Sequence, residues 1–206
     1  MKLKFNISFL IISYFLILFI LPVSKTFAAK ITEIQEDEWF LGDADAPITM
    51  IEYASMSCPH CASFHLNTLP IIKEEYIDTG KVRLVFRDFP FNLPALQASL
   101  ITKCVTKELY FKYIEALFKL QRTWAMPKGS KESLFKILQN SGMTENEFEK
   151  CLNNKDLENK ILADQLKAHE ELNIKTTPSF VINGKLIEGN KPIDIFRKTF
   201  DKILSQ

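Results

Sequence analysis

The chain has little excess charge of either sign. Its 26 Lys and Arg stand against 25 Asp and Glu, a formal net charge of +1, and no block of like charges gathers anywhere along it. That balance excludes the basic footprint of a nucleic-acid binder and the charge-rich composition of a disordered tail. Internal repeats are absent, and low complexity is confined to the first residues. Strand signals are missing from residues 95 to 173. Cysteine is scarce, at positions 58, 61, 104 and 151 only. Just one pair has the close two-residue spacing, and His169 stands alone, so half of any four-ligand zinc site is missing. No metal site and no cofactor are expected.

What is present begins with an address label. Lys2 and Lys4 precede an apolar run from Ile7 to Leu21, Pro22 ends it, and Thr26-Phe27-Ala28 offers small side chains before a cut after Ala28. This is the layout of a secretory signal peptide. The run is short of the roughly 20 residues that a membrane-spanning helix needs. Residues 1–28 are therefore expected to be removed on export. Losing Lys2, Lys4 and Lys25 turns the balance to 23 basic against 25 acidic residues, a net charge of −2. All four cysteines remain, in a compartment where disulfides persist.

Ile48-Thr49-Met50-Ile51-Glu52-Tyr53-Ala54 reads as a buried central strand, apolar on both faces. A helix is expected from Pro59 to about Tyr76, with Pro59 in its first turn, where a missing N–H does no harm, and a kink at Pro70. Val82 to Phe86 supplies the next strand, so the unit is βαβ with a parallel pair. Residues 94–173 follow as an all-helical segment. Helices are expected from Pro94, over Lys107–Gln121, Lys131–Asn140, Thr144–Leu152 and Asp156–Leu172. Thr144 and Glu147 have the spacing of a capping box. Ser179 to Ile182, the turn signal Asn183-Gly184 and Lys185 to Ile187 form a hairpin. A last helix, Pro192 to Leu204, groups Ile195, Phe196, Thr199 and Phe200 on one side. The order is βαβ, helices, ββα, an α/β fold interrupted by an all-helical insertion.

Cys58-Pro59-His60-Cys61 carries the chemistry. At a strand-to-helix junction, residues i and i+3 share one helix face, so two sulfurs can close a disulfide with little backbone movement. The first faces the unpaired N–H groups and positive dipole end of the helix, which stabilise a thiolate. Cys58 is thus the expected nucleophile and Cys61 the buried resolving partner, with thiol–disulfide exchange as the reaction. His60 can add positive charge beside Cys58, and Pro59 stiffens the turn; both lean the pair toward the oxidising end. Glu52, a carboxylate inside an apolar strand, is costly without a task, and accepting the Cys61 proton through water is the task proposed for it. Thr177-Pro178 marks a strand start, where a cis peptide bond fits. His65, one turn beyond Cys61, reads as an ordinary helix residue.

Taken together, these residues resemble the DsbA-like thiol oxidases, a thioredoxin fold interrupted by a helical domain. Asp45-Ala46-Pro47 leads into a strand and active-site segment, Glu52 to Cys61, similar to that family's, and Glu52 matches its buried acid. Thr177 to Gly184 matches its cis-proline loop and hairpin, although Thr176 stands where relatives often carry glycine. The resemblance implies a thioredoxin-like domain made of residues 29–93 and 174–206. It also implies that Thr177 and Pro178 position the substrate cysteine beside a redox-active Cys58–Cys61 disulfide. Cys104, and Cys151 beside Phe148 and Leu152, look like the second cysteine pair of one bacterial branch. Helical periodicity alone allows two buried thiols as readily; export and the resemblance favour a structural disulfide. The activity implied is donation of the active-site disulfide to reduced, unfolded exported proteins in the periplasm by a monomer. A membrane quinone-linked reoxidase of DsbB type is the implied partner. Isomerase, reductase, metal-carrying or chaperone roles are the alternatives, and residues 29 to 47 are too short for the dimerisation domain of a DsbC-like isomerase.

Overall fold

The computed structural model describes residues 33–126 and 128–206, so the expected leader at 1–28 lies outside the described residues. Strand β2 (Ile48–Ala54) is the centre of a five-stranded sheet, and all its residues but Thr49 are buried. It pairs in parallel with β3 (Val82–Asp88) and antiparallel with β4 (Ser179–Ile182), which continues through a tight turn into β5 (Lys185–Glu188). Asn183 and Gly184 both have positive φ, 44° and 84°, as a type I′ turn requires. The far edge is β1 (Phe40–Leu41), antiparallel to β3. It was not expected from sequence, because two residues are too few to show an alternation. The turn leading from it needs Gly42, where a Cβ would stand 2.6 Å from the Val82 carbonyl oxygen.

Helix α1 (residues 59–77) crosses from β2 to β3. It does not end at Pro70: it widens into π-helical turns at Phe64–Thr68 and Lys73–Ile77, with Leu69–Ile72 between them. The Leu69 N–H bonds to the Phe64 carbonyl, five residues back. The wider turn comes just before Pro70, whose ring would clash with the carbonyl four residues earlier in a regular helix.

Among the described residues, six helices separate β3 from β4: α2 (Leu93–Lys103), α3 (Lys107–Lys119), α4 (Gln121–Trp124), α5 (Ser130–Gln139), α6 (Glu145–Leu152) and α7 (Lys155–Leu172). Asn92 caps α2 by accepting from Ala95 N–H, and Thr144 with Glu147 makes the reciprocal capping box of α6. The closing helix α8 (Ile193–Leu204) buries Phe196 and Phe200 and partly covers Ile193 and Ile203. Ile195, grouped with Phe196 and Phe200 on one side from sequence, lies at the edge of that side and is 43% exposed. One position off the stripe turns a helical side chain by about 100°.

Three cores result. Residues of α1, β2, β3, β4 and α8 enclose one, and a second lies on the other sheet face beneath α7. The third joins Ala54, Met56, Cys61, Ala62 and Phe86 to insertion residues such as Tyr113, Leu117, Phe118, Trp124 and Phe148. The helices after β3 thus share a hydrophobic core with the active-site turn.

Candidate active site

Cys58 sits at the cap of α1 in an extended conformation, φ −78° and ψ 121°. A turn bond from its N–H to the Ser55 carbonyl (2.9 Å) brings the chain off β2, and its carbonyl receives the Ala62 N–H (3.1 Å). Pro59 and His60 follow at the exposed rim, and Cys61, one turn in, is fully buried. Both cysteines are free thiols here, the reduced state of the pair. Pro178 follows Thr177 through a cis peptide bond, and the Thr177 carbonyl accepts the Cys58 Sγ–H at 3.3 Å. The structure therefore brings Cys58, Cys61, Thr177 and Pro178 together from chain segments 119 residues apart.

The electrostatics of the two sulfurs are opposite. Cys58 is pulled down to about 5, from an ordinary 9.0. The largest cause is the Cys61 thiol, which donates to the Cys58 thiolate; burial opposes it. The Thr177 side chain and the backbone N–H groups of Cys61 and His60 add to the lowering. Once Cys58 ionises, its bond to the Thr177 carbonyl is lost. The Thr177 hydroxyl, otherwise without a hydrogen-bond partner among the described residues, is then the side-chain group of Thr177 able to donate. Cys61 is pushed far up, first by burial, then by its bond to Cys58 and by the Glu52 carboxylate. One sulfur is ionised at neutral pH and the other holds its proton, the asymmetry that exchange through a mixed disulfide requires. The contribution of His60 visible here is its backbone N–H; its ring is exposed.

Glu52 lies on the α1 side of β2, opposite Phe86 and Phe180, with no exposed surface. The structure corrects the reading of His65. It is not an ordinary helix residue but a buried one, with Nε2 2.8 Å from Glu52 Oε2. Its ring stacks on Phe118 of α3, centroids 4.1 Å apart. Sequence held one hint, that His65 shares a face with Cys61, but nothing said what lay across from it.

Gln121 was missed altogether. This buried glutamine at the start of α4 donates both amide hydrogens to active-site carbonyls, to Met56 O at 2.8 Å and Cys58 O at 2.9 Å. Ser57 adds a second tie by donating to Asn92 Oδ1 (3.1 Å), the residue that caps α2. Away from the site, Cys104 and Cys151 are joined as a disulfide between the ends of α2 and α6, with Cα atoms 5.9 Å apart.

A dithiol at a helix N-terminus beside a cis-proline loop, on this sheet, defines a thioredoxin-fold redox protein. The chain matches the family model described as thioredoxin over residues 34–202. It is 32% identical to a putative protein-disulfide oxidoreductase of Rickettsia bellii, over 90% of this chain and 71% of that one. It spans only 65% of a similar protein of Rickettsia conorii. A probable disulfide bond formation protein D of Bacillus cereus is 31% identical over 81% of this chain and 78% of its own length. Among solved structures, alpha-DsbA1 of Wolbachia pipientis superposes with a TM-score of 0.81 at 34% identity, covering 86% of this chain and 96% of that chain. The chain belongs to the thioredoxin family, among its DsbA-like protein-disulfide oxidoreductases.

Proposed function

We propose that this oxidoreductase works as an oxidase, donating a Cys58–Cys61 disulfide to reduced cysteines of newly exported proteins in the periplasm. A substrate thiolate attacks Cys58 Sγ, the Cys58–Cys61 bond breaks, and Cys61 leaves as a thiolate that takes up a proton. A second substrate thiolate then attacks the sulfur of its own chain in the mixed disulfide, and Cys58 departs as a thiolate. Thr177 and Pro178 border Cys58 and hold the substrate cysteine in line. Glu52 supplies the proton to Cys61 and removes it again on reoxidation. A membrane quinone-linked reoxidase of DsbB type completes the cycle.

The observation that supports this direction is the set of donors around the Cys58 sulfur. Groups that stabilise the thiolate stabilise the reduced protein, which makes the disulfide a stronger oxidant. Equilibration against glutathione tests it. The potential should lie nearer to about −120 mV than to the roughly −270 mV of a thioredoxin. A value at the thioredoxin end would leave a reductase.

A further inference from the structure

The task proposed for Glu52 leaves a question of geometry. A carboxylate on a buried strand has two oxygens, and only the one presented to the Cys61 thiol can exchange its proton. Glu52 Oε2 is taken, 2.8 Å from His65 Nε2. Oε1 is buried and has no hydrogen-bond partner among the described residues. The imidazole is itself held in place. Phe118 stacks on one face at 4.1 Å, and the rings of Phe64 and Phe86 meet it edge-on at 5.6 and 5.8 Å. Such packing leaves His65 little freedom, and through it the carboxylate.

We propose that His65 is a positioning residue for proton transfer at Cys61: it occupies one oxygen of Glu52 and thereby presents the other to the thiol. The proposal rests on Glu52 being the proton acceptor. In reoxidation, Cys58 is first joined to the oxidant's sulfur. The Cys61 Sγ–H proton passes to Glu52 Oε1, directly or through water, and the Cys61 thiolate attacks Cys58 Sγ. The Cys58–Cys61 bond forms, and the oxidant's sulfur leaves with the electron pair. Donation runs the same path backwards, returning the proton to Cys61. The groups facing the pair leave few other routes. Phe86 of β3, Phe180 of β4 and Phe118 of α3 do not titrate, and the titratable neighbours on α1 are Cys61 and, beside it, Cys58. The influence of the Glu52 charge on Cys61 is consistent with their proximity.

The test is single-turnover oxidation of the reduced protein by oxidised glutathione, with acid quenching and mass spectrometry to separate formation of the mixed disulfide from its resolution. His65→Phe keeps an aromatic ring against Phe118 but removes the donor. It should slow resolution by roughly tenfold or more, the scale of a misplaced reacting group, and shift its pH profile, while mixed-disulfide formation at Cys58 keeps its rate. His65→Gln, which retains a side-chain N–H, should recover much of the loss. The double variant E52Q/H65F should be no slower than E52Q alone, because both changes remove one interaction. Equal resolution rates in H65F and the wild type, with E52Q slow, would overturn the role of His65 and leave Glu52 acting alone. Equal rates in all three would remove the Glu52 reading itself. Nitrogen NMR of His65 in the unaltered protein decides the matter even where a variant misfolds. An imidazole carrying its proton on Nε2 and donating to Glu52 is expected. A neutral ring protonated on Nδ1, accepting from a Glu52 carboxylic acid, would end the proposal.

Discussion

The two cysteine pairs occupy opposite kinds of site. Cys58 and Cys61 stand at the start of one helix, near its unpaired N–H groups, half of the pair at the surface and half in the core. Cys104 and Cys151 come from the ends of two helices, 47 residues apart, Cys104 exposed and Cys151 buried. In the first pair the surroundings split the sulfurs, lowering one to about 5 and raising the other. The second closes a long loop and contributes chain-entropy stabilisation instead. Sequence separation and position on the helix, more than the chemistry of the thiol, decide whether a cysteine pair reacts or staples.

The sharpest break of that comparison is substitution in one pair and then in the other. Cys58→Ser should abolish exchange with a reduced model substrate, followed by insulin or ribonuclease thiol titration. Removing both Cys104 and Cys151 as alanines should leave exchange in place but lower stability by up to about 4 kcal/mol in the loop-entropy model. Urea unfolding measures it; loss of exchange by the folded double variant would erase the distinction.

Next in size is Gln121→Ala, which takes the buried side-chain donor from the Met56 carbonyl and leaves the Cys58 carbonyl with the Ala62 N–H alone. Unmade hydrogen bonds of this kind cost roughly 1–3 kcal/mol. Unlike a change deep in the insertion, it should also alter the rate at Cys58, read by thiolate alkylation. Thr144→Ala, at the N-terminal cap of the helix that carries Cys151, should cost about 1 kcal/mol and leave alkylation unchanged.

Acidity sharpens the same contrast. Cys58 is an acid whose folded value, about 5, lies below its ordinary 9.0. The stabilisation of the reduced protein by its thiolate is therefore present in full above the ordinary value. It fades across the range below and is lost as pH falls through about 5. Reduced protein should be more stable than oxidised protein at neutral pH, and the gap should shrink on acidification. Paired melts of the two redox states across pH 4 to 8 check it. The Cys104–Cys151 bridge has no thiol to titrate and should show no such dependence.

Much of this was legible in advance because it is local. The Cys58-Pro59-His60-Cys61 turn, the Asn183-Gly184 hairpin and the Thr144–Glu147 capping box are each encoded within a few residues. Glu52 could be singled out because a carboxylate in an apolar strand is unusual. His65 could not, since a helical pattern says which face a residue is on and nothing about its partner across the core. Gln121 gave no signal at all: a polar residue near a helix start ordinarily faces water, and its two acceptors lie more than sixty residues away.

The sequence by itself determined the redox chemistry and the order of elements, because a thiolate at a helix start and the periodicities of strand and helix are short-range properties. It placed the helices between β3 and β4 without saying what they do there. Tertiary structure alone decided that they reach back, through Phe118 on His65, Gln121 on the Cys58 carbonyl and a core shared with Cys61. Those contacts join residues distant along the chain, and they form only when a buried face with no partner of its own finds one across the fold.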